Sequence, residues 1–218
     1  MGQTVKLDTG VSAYLAKPDG TPRGGIVVIQ EIFGVNGHIR DIADRFAKDG
    51  YVAIAPAFFD HVEEGVELGY DEPGMKAGLD YVGKVGMDKP VADVEASAKY
   101  IADAGKVGTI GFCWGGTVAL LSATRLGLPS VSYYGGRNDQ FLGETPKAPV
   151  MFHFGGQDSH ITPDIVQRHR EAYPDMEVFV YPQADHGFNC DRRASYNETA
   201  AKQAWTRTTA FFAAQLEE

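Results

Sequence analysis

The chemistry of this sequence rests on three side chains, each placed just behind a short apolar run. The first is a cysteine framed by glycines, Gly111-Phe112-Cys113-Trp114-Gly115-Gly116, between the strand-like run 106–110 and the helix-forming run 117–121. Glycine two residues before and two residues after a nucleophile marks a nucleophile elbow, a strained strand-to-helix turn that presents the side chain. A Cβ at either flanking position would strike the neighbouring strand or helix, so glycine is needed there. A free thiol titrates near ~8.5, so the neutral form is a weak nucleophile. A helix N-terminus directly behind Cys113 favours the thiolate, and a histidine base would complete its activation. The chemistry implied is acyl transfer: attack on a carbonyl, a thioester, then hydrolysis.

Scaffolds that use such an elbow place the partners in the order nucleophile, acid, histidine. Asp158 follows the apolar run 150–154 through Gly155-Gly156-Gln157, and His186 follows the run 177–181 in Ala184-Asp185-His186-Gly187. Taken singly, an Asp behind Gly-Gly is a turn or helix cap, and a loop histidine is a surface residue. The ordered series Cys113, Asp158, His186 on successive strand ends is what selects them. His153, inside a predicted strand, His160 and Asp185 compete. Asp185 is too close in sequence to His186 to reach the far side of its ring. An oxyanion hole needs two N–H donors. The backbone of Trp114 supplies one and Ile32, in Gln30-Glu31-Ile32-Phe33-Gly34, the other.

The elements that must position these residues read as an alternating α/β chain. Strands are predicted over 4–7 and 11–16 as an antiparallel edge, and over 25–30, 51–56, 106–110, 130–134, 150–154 and 177–181. The run Gly25-Ile26-Val27-Val28-Ile29-Gln30 is apolar throughout, as suits a strand buried on both faces. Helices are predicted over 38–48, 91–104, 117–121, 162–173 and 197–218. Residues 58–85 hold a loop and one helix over the site. The fold expected is an α/β-hydrolase: a mostly parallel central sheet flanked by helices, without a lid domain, as a single domain over 1–218.

The 218 residues suit one domain, and 44% hydrophobic content suits a sizeable core. With a net charge of −9 and no basic cluster, nucleic acid is excluded as a partner. No apolar run approaches the ~18 residues of a membrane span, so no membrane role is expected. The first residues lack the apolar core of a signal peptide and there are only two cysteines, Cys113 and Cys190, so the expected location is cytoplasmic. Cys190 reads as a small buried hydrophobe.

With these pieces assembled, the chain resembles the dienelactone hydrolases (carboxymethylenebutenolidases). The shared segments are Gln30-Glu31-Ile32-Phe33-Gly34-Val35-Asn36, the cysteine elbow, Tyr133-Tyr134-Gly135, Phe154-Gly155-Gly156-Gln157-Asp158 and His186-Gly187-Phe188. The resemblance implies a monomeric, lidless hydrolase of a small lactone or ester that needs no cofactor and no metal. It implies that Glu31 interacts with the resting thiol and takes part in its activation when substrate binds. Phe33, Tyr134 and Trp114 are candidate pocket walls. The arginines by which family members bind a substrate carboxylate are absent: their positions hold Met75 and Cys190. Lys76, Arg192 or Arg193 is the candidate replacement, although lysine lacks arginine's planar fork. Two rival readings are a DJ-1/PfpI-like cysteine enzyme acting on small carbonyl compounds and a non-catalytic binding module on the same fold.

Overall fold

The computed structural model describes residues 2–217 and gathers eight strands into one sheet. The strands are β1 (Gln3–Lys6), β2 (Ser12–Ala16), β3 (Gly25–Ile29), β4 (Val52–Pro56), β5 (Val107–Phe112), β6 (Ser130–Tyr133), β7 (Val150–Gly155) and β8 (Glu177–Tyr181). Their order across the sheet is β1-β2-β4-β3-β5-β6-β7-β8. The β1–β2 and β2–β4 pairs are antiparallel, and every later pair is parallel. The expected antiparallel edge and parallel centre are therefore both present.

Six α-helices lie among the described residues, five between strands and one after the last: α1 (Gly37–Lys48), α2 (Glu72–Val85), α3 (Asp88–Tyr100), α4 (Trp114–Leu121), α5 (Pro163–Ala172) and α6 (Glu198–Leu216). Every residue of β3 and β4 is buried. Such strands carry apolar side chains on both faces because helices cover both. On one face Ile26, Val28 and Phe112 pack with Ile39, Ile42 and Phe46 of α1 and Phe212 of α6. On the other, Val27 and Ile29 pack with Val94 of α3 and Val118 of α4.

Local signals fix the helix starts. Asn36 Oδ1 accepts from Ile39 N at 3.3 Å to cap α1, and Asp71 Oδ1 accepts from Gly74 N at 2.8 Å to cap α2. The helix expected over 91–104 begins at Asp88 and gives way to a 3₁₀ turn at Ala102–Ala104. The last helix ends at Leu216; its expected final residue, Glu218, lies outside the described residues.

At the elbow β5 runs on to Phe112 and α4 starts at Trp114, so the helix begins directly behind Cys113, three residues ahead of the helix-forming run 117–121. The turn is one residue, Cys113, with φ 56° and ψ −118°. Strain of this kind costs about 1–3 kcal/mol and persists only where the surroundings hold it. Here the Cys113 N–H donates to Tyr133 O at 3.0 Å, and its carbonyl accepts from Gly116 N at 2.9 Å.

Candidate active site

The glycine frame works by close approach. A Cβ on Gly111 would sit 1.8 Å from the Gly115 carbonyl oxygen, and one on Gly115 would sit 2.3 Å from that of Gln30. The first turn of α4 is thus pressed against β5 and the end of β3. That contact brings the loop after β3, with Ile32 and Phe33, beside the sulfur. Cys113 is partly exposed and lines a cavity of about 220 Å³ together with Ile32, Phe33, Trp114, His186 and Arg193. Among the described residues, the Ile32 N–H has no protein acceptor.

Asp158 and His186 leave the ends of β7 and β8 and meet. His186 Nδ1 lies 2.7 Å from Asp158 Oδ2, and the Asp158 side chain is wholly buried. The other carboxylate oxygen, Oδ1, accepts from the N–H groups of His160 (2.8 Å) and Ile161 (3.2 Å). The carboxylate is therefore held on one side by backbone and aims at the ring with the other. Burial alone would push Asp158 upward, but the imidazole and the two amides hold it below its ordinary value. Burial would likewise pull His186 down. The Cys113 sulfur, as a negative charge and a hydrogen-bond partner, and Asp158 outweigh it, and the imidazolium is pushed up to about 10.

The competitors fall elsewhere. His153 is buried in β7 between the hydroxyls of Tyr181 (2.9 Å) and Thr208 (3.2 Å), and burial drives it down to about 3. Asp185 accepts from the backbone N–H of His186 at 2.6 Å. His160 does reach the cavity, with its ring centroid 5.5 Å from that of His186.

Two expected pocket residues are corrected. Tyr134 does not line the cavity: it is fully buried, with its ring 5.1 Å from His186 and 5.3 Å from Phe188, and backs the histidine from behind. Lys76 is exposed and off the cavity wall, which α2 builds from Met75, Leu79 and Val82. One residue turns an α-helix by about 100°, so the neighbour of a wall residue points away from it. Arg192 is also turned outward, to Asp41. Arg193 is the candidate that enters the cavity.

Glu31 is fully buried, but its bonds differ from the expectation. Tyr70 Oη donates to its Oε2 at 3.0 Å and Arg193 Nη1 to its Oε1 at 3.2 Å. Among the described residues it has no hydrogen bond with Cys113. The Arg193 guanidinium also lies 5.8 Å from the ring centroids of Phe33 and of Tyr70. Burial opposes its charge, yet Glu31 and its other neighbours raise it above the ordinary arginine value. Sequence reading missed Tyr70 and Arg137. Arg137 lines the cavity with a side chain that has no hydrogen bond or ion pair among the described residues. Its position behind β6, at a strand carboxyl end, was the available signal.

Fold and site together define an α/β-hydrolase with a cysteine at the elbow. The sequence profile of the dienelactone hydrolase family matches residues 11–216, and the chain belongs to that family. With it, the chain belongs among the hydrolases of esters and lactones. A relative from Synechocystis sp. (strain ATCC 27184 / PCC 6803 / Kazusa), provisionally named carboxymethylenebutenolidase, is 37% identical over 94% of this chain and 92% of its own. A crystal structure from Klebsiella pneumoniae subsp. pneumoniae MGH 78578, provisionally named dienelactone hydrolase, superposes with TM-score 0.88 at 32% identity and 98% coverage of both chains. XC6422 from Xanthomonas campestris, described as a lidless α/β serine hydrolase, shares the fold at TM-score 0.69 and 15% identity, over 100% of this chain and 95% of its own. Among the described residues no helix is long and apolar enough to cross a membrane.

Proposed function

We propose that this enzyme hydrolyses a small enol-lactone or activated ester through a thioester on Cys113, with His186 as acid and base and Asp158 as its orienting group. The observation that carries this reading is the 2.7 Å His186–Asp158 pair, whose imidazole lines the same small cavity as the strained Cys113. The chain acts as one domain, since all its strands share a sheet.

The thiolate of Cys113 attacks the substrate carbonyl, and the oxygen takes the electron pair. The N–H groups of Ile32 and Trp114 hold that oxyanion. Collapse re-forms the carbonyl and breaks the ester C–O bond. The leaving oxygen takes the proton of the His186 imidazolium, and a thioester remains. Acylation removes the negative charge that favoured the imidazolium, so the neutral ring, the form able to accept a proton, is favoured at the moment a base is needed. His186 then takes a proton from water, hydroxide adds to the thioester, and collapse releases the carboxylic acid product and the thiolate. The proton on His186 restores the resting pair. A thiolate leaves more readily than an alkoxide, so adducts of simple alkyl esters revert. Enolates and phenolates leave well enough to compete, which sets the substrate class.

The cavity wall adds a charge preference. Arg193 is held by Glu31, whereas Arg137 is unpaired, so a carboxylate on the substrate finds Arg137 first. An anion that also draws Arg193 away would leave Glu31 unneutralised beside the site. The freed carboxylate can accept the proton of any Cys113 still in the thiol form, which is the route by which Glu31 couples substrate binding to activation of the thiol. The test is acid quenching during turnover of an aryl ester, followed by intact-mass analysis and peptide mapping. An acyl adduct on Cys113, absent from Cys113→Ala, is expected; turnover with no adduct at this residue would refute the thioester route.

A further inference from the structure

Behind Glu31, outside the reaction cavity, three donor side chains of different chemistry converge. Glu31, His38 and Cys190 are all buried, and one ligand atom from each lies within 4.8 Å of the others. Neither His38 nor Cys190 borders the reaction cavity. We propose that Glu31, His38 and Cys190 form a binding site for a borderline-soft divalent cation of the Zn²⁺ type, separate from the catalytic sulfur.

A second observation points to a ligand. His38 is only 3% exposed, and its Nε2 is buried with no hydrogen-bond partner among the described residues. A buried ring nitrogen without a partner is costly and calls for an explanation. Its other nitrogen, Nδ1, faces Asp191 Oδ1 at 3.9 Å. At that distance Asp191 is a nearby negative charge and not a hydrogen-bond partner of the ring.

The donor set selects the cation. Thiolate, imidazole and carboxylate are the ligands of four-coordinate Zn²⁺, with a fourth position left for water. Ligand atoms around such an ion lie about 3.3–3.8 Å apart, so the cluster closes with side-chain shifts of about 1 Å. A carboxylate has about four lone-pair sites, so Glu31 retains acceptor capacity beyond Tyr70 and Arg193. The cation would share Glu31 with Arg193. Access is available: His38 forms part of the wall of a separate cleft of about 520 Å³, with Asp41 and Asp191 also on its wall. Of the cations on that wall, Arg45 stacks on Trp205 at 3.8 Å and Lys202 pairs with Glu198 at 2.7 Å.

Cobalt titration of Cys113→Ala tests this, because Cys190 is then the one cysteine of the chain. Co²⁺ should give a near-ultraviolet sulfur-to-cobalt band and tetrahedral visible bands that saturate at one equivalent and are displaced by Zn²⁺. Adding Cys190→Ser should abolish the sulfur band, and adding His38→Gln should weaken binding at least about tenfold. Circular dichroism of each variant checks the fold, and His38→Gln decides the matter if Cys190→Ser does not fold. Absence of a sulfur band at excess Co²⁺, a band that survives Cys190→Ser, or one unaffected by His38→Gln would overturn the site.

Discussion

The two cysteines of this chain are the same chemical group in opposite surroundings. Cys113 is the single residue between a strand and a helix, partly exposed, with an imidazolium beside it. Cys190 sits in the loop between β8 and α6, wholly buried, and burial pushes its thiol up to about 11, with the Glu31 charge acting in the same direction. The nearest charges also differ in sign of effect. His186 stabilises negative sulfur, whereas Glu31 opposes it. Reactivity is therefore set by where the backbone delivers the sulfur, and the two sites differ in what would have to be supplied from outside. Cys113 has its base in place, whereas Cys190 has a buried carboxylate beside it that works against its ionisation.

The largest effects should come from dismantling the first site. Cys113→Ala should abolish turnover of activated esters, and His186→Ala should lower kcat by about 10²–10⁴. Asp158→Asn should approach the loss seen for His186→Ala, because the ring would lose the acceptor that fixes its tautomer. Steady-state kinetics with an aryl ester checks all three. A His186→Ala enzyme within a factor of a few of the intact one would erase the contrast between the two cysteines.

Alkylation reads the same contrast without a substrate. Iodoacetamide should modify Cys113 first, with Cys190 reacting only when its loop opens. An opening free energy of about 3 kcal/mol makes the ratio of rates at least about 10². Peptide mapping over time measures it. Equal rates would mean that burial does not protect Cys190.

Much of this arrangement was legible in the sequence. The continuous apolar run 25–30 gave β3, and the glycine frame with its ordered acid and histidine gave the residues that converge on the cavity. What escaped depends on contacts between distant segments. Local propensity does not encode how closely backbone meets backbone at Gly111 and Gly115 around the one-residue turn. Lys76 was the expected charge on α2, but only packing shows that Met75 and Leu79 take the inward face. Glu31, Tyr70, His38 and Arg193 come from four separate segments, and no spacing rule joins them.

The ionic side of the comparison predicts a titration. In the intact enzyme His186 should titrate at about 10, and in Cys113→Ala its midpoint should fall, since the sulfur's charge and hydrogen bond are lost. Histidine NMR resonances measure this, and an unchanged midpoint would remove Cys113 from the list of causes. The signs for stability follow. The raised His186 contributes stability fully below its ordinary 6.5, and the contribution is lost as pH rises through about 10. The lowered Asp158 contributes above its ordinary 3.8, and that share is lost as pH falls through its depressed value. The Tm difference between the intact enzyme and His186→Gln should therefore be largest between about 4 and 6.5 and shrink towards both extremes.

The smallest effect concerns substrate charge, and it separates two cations close in space to the same cavity. Arg137 borders it with no side-chain partner among the described residues, whereas Lys76 is exposed off its wall. An exposed charge acting through water contributes little, and a guanidinium in contact with a carboxylate contributes about 1–2 kcal/mol. Arg137→Ala should therefore raise KM for anionic lactones about 5–20-fold and leave neutral aryl esters nearly unchanged, with kcat little altered for either. Lys76→Ala should change neither KM. A rise in KM for neutral and anionic substrates alike would show that Arg137 shapes the cavity instead of reading charge. A selective rise in Lys76→Ala would mean that α2 turns on binding and brings its outer face to the substrate.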